Sequence, residues 1–165
     1  MVEEGLRRGY DITGVSRNPE KLAEKFPQIR VVAGDILDRP ALKKLLEGRK
    51  NVLVSVGGKP KSNRGEEYIM YTASLSLIEV LGDLAANGPR VILVGNVFTL
   101  YNAEGELLLD RASEHRNYGM FAGHQLALEA FQNSSGVSWT IVSPPNGFRL
   151  KGRTEKIRHG FDQLL

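Results

Sequence analysis

Residues 10–33 read YDITGVSRNPEKLAEKFPQIRVVA. Tyr10–Val15 and Ile29–Ala33 are short strand-like runs. Between them Asn18-Pro19 opens a helix over Pro19–Phe26, with proline where the first turn has no use for its missing N–H. A strand, a helix and a second strand in such short order predict a crossover unit whose strands run parallel. The alternation continues down the chain. Asp38 can cap a helix over Arg39–Glu47, whose Leu42, Leu45 and Leu46 make an apolar stripe ended by Gly48. Asn51–Val56 (NVLVSV) is a third strand, followed by Gly57-Gly58 and the polar loop Lys59–Gly65. A long helix is expected from Glu66 to Ala86, with Leu75, Leu77, Ile78, Leu81 and Leu84 as its core stripe and Asn87-Gly88-Pro89 as its stop. Arg90–Gly95 (RVILVG) is a fourth strand. After an irregular stretch come a helix over Tyr118–Asn133 and a fifth strand, Val137–Ser143 (VSWTIVS), with Trp139 in the core. Short strands that are almost wholly apolar predict a parallel sheet covered on both faces. The fold class is α/β, doubly wound.

Composition bounds the rest. The chain has 165 residues, 22 Lys and Arg against 19 Asp and Glu, three His and no Cys. That is material for a single domain over residues 1–165. Without Cys there is no disulfide frame, no Cys-zinc site and no thiol nucleophile. No run approaches the ~18 consecutive apolar residues of a membrane helix, and the N-terminus MVEEGLRRGY is too charged for a secretory signal, so the expected place is the cytoplasm. His115, His124 and His159 have no His partner at helical spacing, and no metal site is expected. Basic residues gather at Arg149, Lys151, Arg153, Lys156 and Arg158. No aromatic interleaves them, which favours solvated charge over nucleic-acid contact. Val2–Arg8 reads as the back half of a helix capped by Gly9, with no N-cap before it.

In an open α/β sheet, ligands bind beyond the carboxyl ends of the strands. The first strand ends in Ser16-Arg17-Asn18. An acid at that point bonds an adenine ribose, whereas Arg17 offers a forked charge for a 2′-phosphate, that is, for NADP. A surface arginine at a helix start explains it equally. The second strand ends in Gly34-Asp35-Ile36. Asp35 can accept from an adenine amino group or serve as a local cap. Val56-Gly57-Gly58 lets a ligand approach backbone, or is ordinary turn material. The fourth strand runs out through Asn96 to Thr99 and Tyr101, and the fifth into the rigid turn Ser143-Pro144-Pro145-Asn146. Together these exits line one edge.

YDITGVSRNPEKL, VVAGDILD, NVLVSVGG, RVILVGNVFTLY, GHQLALEAF, WTIVSPP and GRTEKIRHGFDQLL, in that order, resemble the atypical short-chain dehydrogenases. The nearest branch is the small NmrA-like, NADH-flavin-reductase-like group with a Rossmann-like sheet. The resemblance implies that Arg17, flanked by Ser16 and Asn18, meets the adenosine phosphate and that Asp35 and Ile36 meet the adenine. It implies that Val56, Gly57 and Gly58 line the adenosine and pyrophosphate side. By the same resemblance Thr99 would fall near nicotinamide and substrate, where relatives often have a serine, and Pro145 would flank the nicotinamide pocket. Tyr118 and His124 are weaker candidates as proton donors. The implied activity is hydride transfer from bound NADPH (or NADH), the reduced form of an NADP (or NAD) cofactor, to a small-molecule acceptor such as a flavin or quinone. Alternatives are a non-catalytic NADP-binding regulator of a partner protein, or an epimerase- or dehydratase-like enzyme. A homodimer or regulated protein partner is allowed for; a membrane or nucleic acid is not expected.

Two departures qualify the resemblance. No Tyr-x-x-x-Lys occurs, since Tyr118 is followed at that spacing by Ala122; this argues against alcohol oxidation. The family's first strand and its G-x-x-G-x-x-G turn are also missing. In the 3-2-1-4-5-6 strand order that strand is central, so a gap is expected between the strands at Tyr10 and Asn51. FDQLL at the end reads as the start of another strand. The expectation is therefore a fragment of a protein of about 200–215 residues.

Overall fold

The computed structural model describes residues 1–145 and Gly160. The basic cluster from Arg149 to Arg158, His159, Asn146 and the FDQLL segment lie outside the described residues. The order of elements is α1 (Val2–Arg7), β1 (Thr13–Ser16), α2 (Pro19–Lys25), β2 (Arg30–Ala33), α3 (Arg39–Leu46), β3 (Asn51–Val54), α4 (Ile69–Leu84), β4 (Arg90–Val94), α5 (Tyr118–Gln132) and β5 (Trp139–Val142), with short 3₁₀ turns between. Local chemistry sets these limits. Asn18 accepts from the Lys21 N–H and Asp38 from the Ala41 N–H, each capping a helix with proline in its first turn. Gly9, at φ 74°, ends α1 in a Schellman motif: its N–H donates to Leu6 and the Tyr10 N–H to Gly5.

Among the described residues the five strands pair in parallel, as the apolar strands predicted, but the pairing falls into two sheets. β1 pairs with β2, and β3, β4 and β5 pair in that order. No strand pairing joins β1 to β3, so the gap expected there is present among the described residues. In-register neighbours in a parallel sheet share a face. Val52, Val54, Val91, Leu93, Trp139 and Ile141 accordingly lie together in the core with α3, α4 and α5. The opposite face is more open than the sequence led one to expect: Leu53 is 56% exposed and Val142 53%. The doubly wound α/β class stands, with this face the more exposed of the two among the described residues.

The long helix is corrected as well. Gly65–Glu67 form a 3₁₀ turn, Tyr68 is extended (φ −79°, ψ 136°), and α4 starts only at Ile69. Tyr68 is worth the break because its ring is buried and its hydroxyl donates to the Gly58 carbonyl. Leu77 and Leu81 are fully buried, whereas Leu75, which stands on another side of the helix, is 38% exposed and leaves the core stripe. The segment Ile69–Asn87 is long and apolar enough by composition to cross a membrane; here its helix supplies Met70, Leu77, Val80 and Leu81 to the core.

α5 lies unusually close to the segment before α4. A methyl group added at Gly119 would stand 2.1 Å from the Ser62 carbonyl oxygen. One at Gly123 would stand 2.5 Å from Tyr68 Cβ, and one at Gly65 2.8 Å from the Ala122 backbone. Three glycines thus bring backbone onto backbone at a distance no other residue permits.

Candidate functional site

The carboxyl ends of the strands carry the residues singled out in the sequence. At the exit of β1, Ser16 and Asn18 are spent on the turn itself: the Asn18 N–H donates to Ser16 Oγ, and Asn18 Oδ1 caps α2. Between them Arg17 is exposed and makes no ion pair or side-chain hydrogen bond among the described residues. Its charge is available to an anion. The exit of β2 lies alongside, because the Gly34 N–H donates to the Ser16 carbonyl at 3.1 Å. Asp35 Oδ1 accepts the Leu37 N–H, leaving its other oxygen unengaged, and Ile36 packs on the main core.

At the exit of β3, Val56 packs on the core and Gly57 and Gly58 are exposed. Nothing stands within 4 Å of a Cβ built at Gly58, so the backbone there is open to a ligand. Behind it sits Tyr68, and 5.7 Å from the Tyr68 ring is the ring of His124. His124 is 9% exposed and makes no hydrogen bond among the described residues. Burial alone pushes its imidazole down to about 4. At neutral pH it is therefore uncharged and has no imidazolium proton to give. Tyr118 lies elsewhere, partly buried against the small cluster of Leu109, Ala112 and Phe121.

Thr99 is brought to the edge of β4 by a turn that its neighbour builds. Asn96 accepts the Phe98 N–H on its side chain, and Thr99 Oγ1 donates to the Asn96 carbonyl at 2.8 Å. The same hydroxyl lies 3.1 Å from Ser143 Oγ, at the end of β5. This pairing was not foreseen. The two residues are far apart in sequence, and the signal that could have found it is register: parallel strands in register bring their exits side by side, as Val94 with Val142. Pro145 is exposed next to this pair in sequence. Beyond β4, Tyr101 bridges to Leu107, and the loop between is held by Asn102, which binds the N–H groups of Glu104 and Glu106. Arg111 and Asn102 hold the Glu106 carboxyl below the usual carboxylate range. The candidate residues thus fall into an Arg17–Asp35 group beyond β1 and β2 and a Thr99–Ser143 group beyond β4 and β5, with the bare glycines at the exit of β3. Tyr118 stands apart.

Residues 1–161 match the family described as NAD(P)H-binding. The chain belongs to that family. An uncharacterized protein of Bacillus subtilis, YwnB, is 26% identical over 169 residues, spanning all of this chain and 75% of YwnB. Among solved structures, a Burkholderia pseudomallei protein provisionally described as exported superposes with a TM-score of 0.79 at 24% identity, over 99% of this chain and 74% of that one. A Streptococcus pneumoniae protein provisionally described as an NADH-flavin reductase gives 0.69 at 21% identity, over 90% of this chain and 69% of that one. At these identities the likeness carries the fold: α/β, parallel, Rossmann-like. The residues fit a dinucleotide in part. A free guanidinium, a half-free carboxylate and bare glycine backbone suit its adenosine side, and a hydroxyl pair lies beyond β4 and β5. No G-x-x-G-x-x-G turn for the pyrophosphate occurs in the chain.

Proposed function

We propose that this chain is an NAD(P)H-dependent reductase, with NADPH preferred, that serves a small acceptor such as a flavin or quinone. The observation that carries the reading is the Arg17 guanidinium, without an ion pair or side-chain hydrogen bond among the described residues, between two residues engaged in their own turn. A planar forked charge suits a 2′-phosphate, whereas a ribose hydroxyl calls for an acceptor. Asp35 would accept from the adenine amino group with its unengaged oxygen. Val56, Gly57 and Gly58 would line the adenosine and pyrophosphate, and Pro145 would flank the nicotinamide. The dinucleotide supplies the hydride, so the protein needs no nucleophile of its own. What its residues contribute is orientation, through Thr99 and Ser143.

The test is turnover by the full chain of NADPH and of NADH with flavin mononucleotide and with a simple quinone. Arg17→Asp is expected to move the preference from NADPH towards NADH by at least about tenfold, the size of one lost charge-assisted contact. An unchanged preference overturns the assignment of Arg17. A second reading, an NADP-binding regulator without turnover, is favoured by one fact: Thr99 is only 4% exposed and His124 is neutral, so neither is an open acid. Tight NADPH binding with no acceptor reduced would decide for it.

A further inference from the structure

The hydroxyl pair at the ends of β4 and β5 has a defined polarity. Thr99 Oγ1 faces the Asn96 carbonyl at 2.8 Å, and a carbonyl can only accept. The Thr99 proton is committed there. The contact of 3.1 Å between Thr99 Oγ1 and Ser143 Oγ must then be donated by Ser143. Both protons are used, and Ser143 Oγ keeps two lone pairs with no other partner among the described residues. The two residues also differ in access. Thr99 is 4% exposed, whereas Ser143 is half-buried. Room for Ser143 comes from Gly95, where an added Cβ would lie 2.9 Å from Ser143 Oγ and 2.5 Å from Ile141. The Gly95 N–H donates to the Val142 carbonyl at 2.8 Å, which pins the two strand ends together.

We propose that Ser143, held by Thr99 as a positioning residue, is the ligand-facing hydroxyl of the site and acts as a hydrogen-bond acceptor. It therefore selects acceptors that carry an N–H over acceptors that present only carbonyl oxygens. A flavin ring has such a group; a simple quinone has none. A quinone oxygen beside Ser143 meets lone pairs, unless the serine proton is withdrawn from Thr99 and Thr99 loses its donor. The proposal rests on the reductase reading and sharpens its substrate class to N–H-bearing heterocycles.

The experiment compares flavin mononucleotide with menadione, a quinone, as NADPH-dependent acceptors for the full chain. Ser143→Ala is expected to lower the flavin-to-quinone ratio of kcat/KM about tenfold, and Ser143→Thr to restore it. Thr99→Val, which keeps the shape but frees the Ser143 proton, is expected to move the ratio the same way by raising the quinone's share. A purely structural role for either residue would scale both acceptors alike. That result, or an unchanged ratio in Ser143→Ala, overturns the proposal. Should the wild-type chain reduce neither acceptor, the reductase reading fails. Fluorescence titration of flavin mononucleotide still tests Ser143: binding about tenfold weaker in Ser143→Ala upholds its role as an acceptor, and equal binding refutes it.

Discussion

The two sheets are built from similar strands and live in different surroundings. β1 and β2 have four residues each, and no residue before Leu42 is buried anywhere in the chain. β3, β4 and β5 sit on a core that includes Leu77, Val91, Leu93 and Phe131, all below 2% exposed. A two-stranded sheet is marginal alone, because it cannot bury enough apolar surface to offset chain entropy. The β1–β2 layer is tied to the rest through α3, which buries Leu42 and Leu46 in the main core. Half of the proposed site, Arg17 and Asp35, thus rests on the weakly buried layer. The other half, Thr99 and Ser143, rests on the well-packed one. Affinity for the adenosine end is expected to be paired with ordering of its support, and orientation at the hydroxyl end with a surface already formed.

The comparison can be broken most directly by truncation. Phe131→Ala is expected to cost about 3–5 kcal/mol in urea unfolding, and Val32→Ala in β2 about 1 kcal/mol or less. Equal losses would mean that the two layers share one core after all. Hydrogen exchange sharpens the same point. Amides of β1 and β2 should exchange through openings of lower free energy than those of β4. NADPH at about 100 times its Kd should raise the β1–β2 opening free energy by up to about 2.7 kcal/mol and change β4 far less. Uniform protection by NADPH would remove the division of labour. Acid acts in the opposite sense, on the well-packed half. His124 stays neutral in the folded chain down to about 4, while the unfolded chain takes up a proton near its ordinary value. Stability is then full above about pH 6.5 and falls as the pH drops from there towards 4. Between pH 7.5 and pH 5 the loss is about 2 kcal/mol. His124→Phe should flatten that slope, and an unaltered slope would place the titrating group elsewhere.

Much of this architecture was legible because it is local. Asn18 and Asp38 announce their helices by side chains that reach three residues on, and Gly9 its helix end by a backbone angle. The β1–β3 gap was legible only through the family resemblance, in whose strand order a further strand stands between them. What was hidden depends on distant partners. Tyr68 breaks the expected helix because Gly58 and His124 receive it. Leu75 looks like core until the turn of the helix puts it outside. The site divides likewise: Arg17 was singled out by its place at the exit of the first strand, whereas Ser143 gained meaning only once β4 and β5 were laid in register and Gly95 made way for it.

The glycine contacts along α5 have a mechanical consequence. With Gly119 against Ser62, and Gly123 and Gly65 against each other's neighbours, there is no clearance between the helix and residues 62–68. Such surfaces cannot slide past one another; they separate or move as one piece. The loop that follows Gly58 is therefore geared to the helix that carries His124. A ligand that displaces the glycine exit of β3 pushes on a lever whose far arm is α5.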